Sequence, residues 1–282
     1  MVDFRYHALS LVAVFLALGI GIVLGVTVGD SLVSDADRNL RDSLRGDVEE
    51  AREQARDEQA LGERREDLIE ETAPELADGR LRGRRVALVA LGELPAELSD
   101  SVDEAVEMGG GRLVRSAAIE PLPDADRPRA QFRWGATAAR AIQSGGPALG
   151  RLARSTSPRW FSGSARGPVD AVVVYRHPPA EQESEEDASL REALAEGVVR
   201  RLGETGVAVE ALGTDPSQVG WYDDRFIASV DNVDLAAGRL ALVLLLEGRT
   251  GADDPPAGSF GYKDSADRAI PDLQESAAGA SP

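Results

Sequence analysis

Residues 85–91 read Arg-Val-Ala-Leu-Val-Ala-Leu, and this run decides the fold. Consecutive apolar residues closed by a glycine mark a strand buried on both faces, as parallel sheets require. After Gly92 come Glu93-Leu94-Pro95, then Leu98, Val102, Ala105 and Val106 at helical spacing within 96–108. Gly109-Gly110-Gly111 stops that helix, and 112–119 resumes as a strand. Strand, helix and strand in this order make one βαβ unit.

Further along, 169–175 (Val-Asp-Ala-Val-Val-Val-Tyr) is a second buried strand, followed by an acidic loop over 176–189. Residues 190–204 form an amphipathic helix with Leu190, Ala193, Leu194, Val198 and Leu202 inward, and 207–212 is the next strand. Residues 227–233 offer another strand, and Asp234 stands where it would N-cap a helix over 235–247. Between the two units, 121–166 is rich in Pro, Gly, Ser and Arg; one helix is expected over 135–152 and the rest is unassigned. The alternation predicts an α/β domain over 80–250, Rossmann-like or flavodoxin-like, with a parallel sheet covered on both faces. From 251 to 282 the chain turns to Gly, Pro, Asp and Ala, a tail expected to be poorly ordered at its end.

In the other direction, 34–71 is dense in Asp, Glu and Arg. Val33, Leu40, Leu44, Ala51, Ala55, Ile69 and Leu76 approximate a helical period. This predicts a charged helical stalk over 31–79, ended by Pro74 and Gly79. Its apolar seam is thin, so a dimeric coiled coil and a solvated single helix both fit.

Residues 8–29 carry no charged side chain. At about 1.5 Å per residue that run is long enough to cross a bilayer core. A buried core helix is rarely so long, and a cleaved signal peptide needs a basic n-region and a small-residue cleavage site. Here the n-region has Arg5 against Asp3, and no Ala-x-Ala follows the run. An uncleaved single-pass anchor over 1–30 fits best. Arg5 on one side and Arg38 and Arg41 on the other leave the charge rule undecided. The very short N-terminal tail suits a signal-anchor that exports its C-terminus, so the domain is expected to be extracytoplasmic. Gly21, Gly25 and Gly29 share one helix face, and glycine lets helices approach closely in lipid, which favours a homodimer. The plainer reading is chance, since the chain holds 29 Gly in 282 residues.

Net charge is −18 at pH 7, which argues against a nucleic-acid partner. There is no cysteine, so disulfides, thiolate metal sites and cysteine nucleophiles are excluded. Two His and two Met cannot build a conventional copper site in one chain. We therefore expect neither a metal site nor a cofactor.

In parallel sheets ligands bind beyond the carboxyl ends of the strands. Gly92, Glu93, Arg176, His177, Gly213, Thr214, Asp215, Asp231, Asn232 and Asp234 fall there. Each has a plain structural reading: Glu93 as a turn residue, His177 as a solvated loop residue before Pro178-Pro179, Asp234 as a helix cap. No glycine-rich phosphate loop or nucleophile elbow follows a strand, and only His177 could serve a Ser-His-Asp triad. No enzyme is expected.

Residues 2–25 (Val-Asp-Phe-Arg-Tyr-His through Gly-Ile-Gly-Ile-Val-Leu-Gly) resemble the anchor of the actinobacterial MctB-type copper transporter family. Residues 229–243, beginning Ser-Val-Asp-Asn-Val-Asp, resemble that family's C-terminal signature, and 261–271, beginning Gly-Tyr-Lys, fits it too. The resemblance implies a role in copper homeostasis at the cell envelope, where members are described as channel-forming outer-membrane proteins. It also implies a second envelope role, in cell-wall assembly and cell separation through a partner protein. By itself one apolar helix encloses no pore, and the strands read as buried runs rather than alternating barrel segments. Three functions remain: a tethered protein of copper homeostasis, an interaction module for an envelope partner, and an enzyme using the carboxyl-end cleft.

Overall fold

The computed structural model describes residues 4–123, 126–155, 161–180, 182–225, 227–251, 257–263 and 266–271, without the side chains at 4–5, 26–43, 153–155, 204 and 251. The chain divides into two compact units, Met1–Arg64 and Arg65–Pro282.

The described part of the first unit is helical throughout, the leading part of α1 (Phe4–Ala77). Within it Tyr6–Gly25 has a mean hydropathy of 2.6 and is unburied, long and apolar enough to cross a membrane. A Cβ at Gly21 or Gly25 would meet nothing within 4 Å beyond the helix's own backbone; the surroundings of Gly29 lie outside the described residues. Leu44, Val48 and Leu61 are exposed.

The second unit is mixed α/β. Its sheet contains β1 (Arg85–Leu91), β2 (Arg112–Ile119), β3 (Phe161–Gly163), β4 (Ala171–Arg176), β5 (Gly206–Val209), β6 (Ser229–Val230) and β7 (Ser259–Phe260), in the order β3-β2-β1-β4-β5-β6-β7. Every pairing is parallel except β2 with the edge strand β3. After β1 the chain places β2 on one side and β4 on the other, so the winding reverses between β1 and β4.

Alternation along β1 feeds both faces. Val86, Leu88 and Ala90 pack with α2 (Ala96–Met108), α7 (Ala236–Gly251) and the end of α1, where Ala73 and Ala77 are buried. Ala87, Val89 and Leu91 pack under α3 (Pro128–Ser144), α4 (Gly146–Ser155) and α5 (Glu185–Leu202). A short α6 (Val219–Asp223) carries Tyr222, buried with Ala208 of β5, Val199 and Ile227.

Several expectations are corrected. Pro74 does not end the stalk helix, which continues to Ala77 because Ala73, Ala77 and Ile69 pack on the domain core. The expected helix over 135–152 is two helices, broken where Gly145 and Gly146 take positive φ and started earlier by Pro128 in the first turn. α5 begins at Glu185, inside the expected acidic loop: Ser184 caps it by accepting the Asp187 N–H at 3.1 Å, and the acids suit its N-terminus. The strand expected over 227–233 is two residues long. The tail returns to the sheet as β7, with Phe260 buried; residues 272–282 lie outside the described set.

Candidate functional site

The sheet's carboxyl edge begins at the winding reversal. The His177 N–H donates to Leu91 O at 3.0 Å, holding the ends of β4 and β1 together. Gly92 has φ +102, and a Cβ there would meet the His177 Cβ at 2.9 Å. Only glycine combines that φ with that approach. The Tyr175 hydroxyl lies 3.5 Å from His177 Nδ1, at the outer limit of a hydrogen bond. Burial, reinforced by Glu210 and Glu93, raises the Tyr175 hydroxyl above its ordinary pKa. Glu93 faces a separate cleft of about 380 Å³ with Leu94, Ser116, Glu120, Phe161 and Ser162.

Arg176 turns away from this crevice. Its guanidinium donates to Gln218 Oε1 and, at 2.8 Å, to Glu192 Oε2, and lies 4.5 Å over the Trp221 ring. Arg225 lies 3.9 Å from the same ring and donates to Glu192 Oε1 at 2.7 Å and Glu196 Oε2 at 2.6 Å. Trp221 Nε1 completes the arrangement by donating to Glu192 Oε1 at 2.7 Å. Burial works to raise the Glu196 carboxyl, but hydrogen bonds from Arg200 and Arg225 outweigh it and hold the group below its ordinary value.

Gln218 carries the network onward. Its N–H donates to Glu210 Oε2 at 2.7 Å. Glu210 is 1% exposed, and its Oε1 accepts from Lys263 Nζ at 2.5 Å and Ser217 Oγ at 2.7 Å. Lys263, the chain's single lysine, also donates to Ala211 O at 3.2 Å and Thr214 O at 3.0 Å. Asp231, fully buried, accepts the Tyr262 N–H at 2.8 Å and the Lys263 N–H at 2.9 Å. Gly261 has φ +143, and a Cβ there would sit 1.7 Å from Asp231 Oδ1. The C-terminal loop is thus seated directly on the Asp231 carboxylate.

The sequence candidates therefore separate. Gly92 and His177 meet at the reversal, with Glu93 in its own cleft. Arg176, Thr214 and Asp231 join one network, Thr214 through its carbonyl only. Asn232 is fully buried beside the first turn of α7, its side-chain atoms without a partner. Asp234 does not cap α7: its Oδ1 accepts the Leu212 N–H at 2.7 Å, and the Ala236 N–H is taken by Glu66. A Cβ at Gly213 would meet nothing within 4 Å, and Asp215 is exposed. Sequence reasoning missed Glu192, Glu210, Gln218, Trp221, Arg225 and Lys263. The available signals were one acid closing the apolar run 207–209 and one lysine in the whole chain.

Among the described residues no group of three or more His, Cys, Asp or Glu is placed to hold a metal ion. The network's carboxylates are already engaged by arginines, a lysine and backbone N–H groups. That arrangement suits a rigid surface better than a receptive pocket.

A family model described as copper transport outer membrane protein, MctB, matches residues 1–132 and 160–271. The chain belongs to the MctB family. No curated protein matches it. The MctB match includes every member of the polar network, whereas residues 133–159 lie outside it.

Proposed function

We propose that this chain is a single-pass, membrane-tethered envelope protein of copper homeostasis, in which the α/β domain works as a tethered binding module rather than as a pore. The family match over most of the chain supports the copper role and carries the reading. The apolar helix over Tyr6–Gly25 supports the tether, and one such helix encloses no pore. Counted over its parallel strands alone, the sheet order is that of the flavodoxin-like doubly wound fold, which would put a ligand at the β1–β4 reversal. We place the domain on the extracytoplasmic side. Dimerisation would use the Gly21, Gly25 and Gly29 face, with the exposed Leu44, Val48 and Leu61 of the stalk as a marginal coiled-coil seam.

Copper would be cargo or signal here, not a resident cofactor. A deletion strain should change in copper content and tolerance, and unchanged values for both would remove the copper role. Protease treatment of intact spheroplasts should cleave the domain; complete protection would reverse the orientation. A second reading, a scaffold that recruits a partner for cell-wall assembly and cell separation, is favoured by the closed carboxyl-edge network. Crosslinking in membranes should then capture a stoichiometric partner.

A further inference from the structure

One segment reverses the charge of the whole chain. Between 127 and 168 there are eight arginines and no Asp or Glu, in a protein of net charge −18. Three of them, Arg129, Arg133 and Arg140, are exposed on α3. At about 100° per residue they fall within about 40° of one another on the helix, spanning about 16 Å along its axis. The opposite face of α3 is its buried one, with Gln131, Gly135, Ala138, Ala139 and Ile142. Arg151 on α4 and Arg166 before β4 are exposed as well.

These arginines also differ from five others of the domain in company. Elsewhere in the domain Arg80, Arg176, Arg191, Arg200 and Arg225 each hold a carboxylate at 2.8 Å or less. Among the described residues the side chains of Arg129, Arg133, Arg140 and Arg151 hold none. Arg133, Arg140 and Arg151 moreover lie in the stretch outside the family match, so they are not part of the shared pattern.

We propose that this arginine face docks on the anionic headgroups of a bilayer. An acidic protein partner is the weaker occupant: the exposed positions of the stripe, Arg129, Arg133, Thr137, Arg140 and Ser144, offer no aromatic or aliphatic anchor of the kind that protein interfaces bury. Arg129 borders a cavity that also holds Phe132, Glu192 and Glu196, but Arg133 and Arg140 are not in its lining. A stripe of exposed arginines suits a diffuse charged surface, and Arg binds phosphate oxygens in a fork. With a net charge of −18, most of the chain would be repelled by such a surface, whereas 127–168 would be attracted. The inference rests on the tether proposed above, which keeps the domain at a membrane.

The test uses the full chain reconstituted in phosphatidylcholine vesicles, with and without phosphatidylglycerol, followed by flotation and by hydrogen exchange over 128–155. Flotation in both lipids should be equal, because the helix holds the chain. Exchange in α3 should slow only with phosphatidylglycerol, revert at high salt, and revert in R129E/R133E/R140E. At about fivefold in surface association for each arginine, the triple reversal removes about a hundredfold. Arginine-dependent clustering with a second, protein-free population of anionic vesicles would support the same docking on a facing membrane. Equal flotation with α3 exchange indifferent to lipid charge overturns the docking and leaves the tether standing. Protection that is the same in both lipids and grows with protein density assigns the face to a second copy and also overturns it. No flotation on neutral vesicles removes the tether, while arginine-dependent flotation on anionic ones would still support the docking.

Discussion

At the β1–β4 end of the carboxyl edge, one 3.5 Å side-chain contact joins Tyr175 to His177; at the β5–β7 end, the side chains of Glu210 and Lys263 have three partners each and that of Asp231 two. The first end is closed by proximity, the second by charge. A buried carboxylate without partners is expensive, so the second end must be complete for the domain to fold. The first end carries no such obligation, which leaves it free to open. Family-signature residues are thus no guide by themselves to a ligand: Asp231 holds a loop, and Asn232 backs onto a helix.

Substitutions can break that contrast, most severely at the glycines that admit the closure. Gly261→Ala puts a methyl 1.7 Å from Asp231 Oδ1, and Gly238→Ala one 1.9 Å from Asn232 O. Each should cost on the order of 3–5 kcal/mol or prevent folding, since the loop or helix must lift off a buried polar group. Gly213→Ala, with open space around it, should stay within about 0.5 kcal/mol. Chemical denaturation of the detergent-solubilised chain measures all three, and equal midpoints would end the argument for a locked edge.

Next in size is the buried pair. Glu210→Gln leaves the Lys263 ammonium without its carboxylate, and Lys263→Met leaves Glu210 charged in a dry site; each should cost about 3–5 kcal/mol. The double variant should recover part of that loss, because no unpaired charge remains. A strictly additive double variant would mean that the two groups do not act as a pair.

The arginine–tryptophan cluster should show itself through pH. The Glu196 carboxyl is held below its ordinary value, so it binds fewer protons folded than unfolded. Its contribution is therefore present above the ordinary carboxylate pKa and is lost as pH falls through the lower, folded value. Replacing Arg225 by Leu should flatten the acid limb of the stability curve and leave its neutral-to-alkaline shape unchanged. An acid limb identical to that of the parent chain would separate Glu196 from the network.

How much of this was legible in the sequence follows from the physics of each element. β1 and β4 are apolar runs ended by a glycine or a charged residue, and burial on both faces leaves that mark. β2, which carries Arg115 and Ser116, was legible by its place after the Gly109–Gly111 stop. β3, β6 and β7 are too short to carry a period, and their pairing comes from tertiary context. The start of α5 was hidden because an acidic run suits a solvated loop and a helix N-terminus equally well. Arg176, Thr214 and Asp231 were found by position, at the ends of strands. Their partners were not, because Glu192, Gln218, Arg225 and Lys263 arrive from other elements, and no spacing in the sequence records that meeting.

The smallest expected effect is the sharpest test of the open end. The His177 side chain is half-buried, and its contact with Tyr175 is at the limit of hydrogen bonding. Its backbone N–H, which joins β4 to β1, survives replacement by alanine. His177→Ala should therefore cost less than about 1 kcal/mol, well below Glu210→Gln. It should also speed hydrogen exchange at 92–94 and 176–177 and leave 258–263 unchanged. If the loss instead matched that of Glu210→Gln, the β1–β4 end would be locked as firmly as the other, and a ligand would have to be sought in the Glu93 cleft.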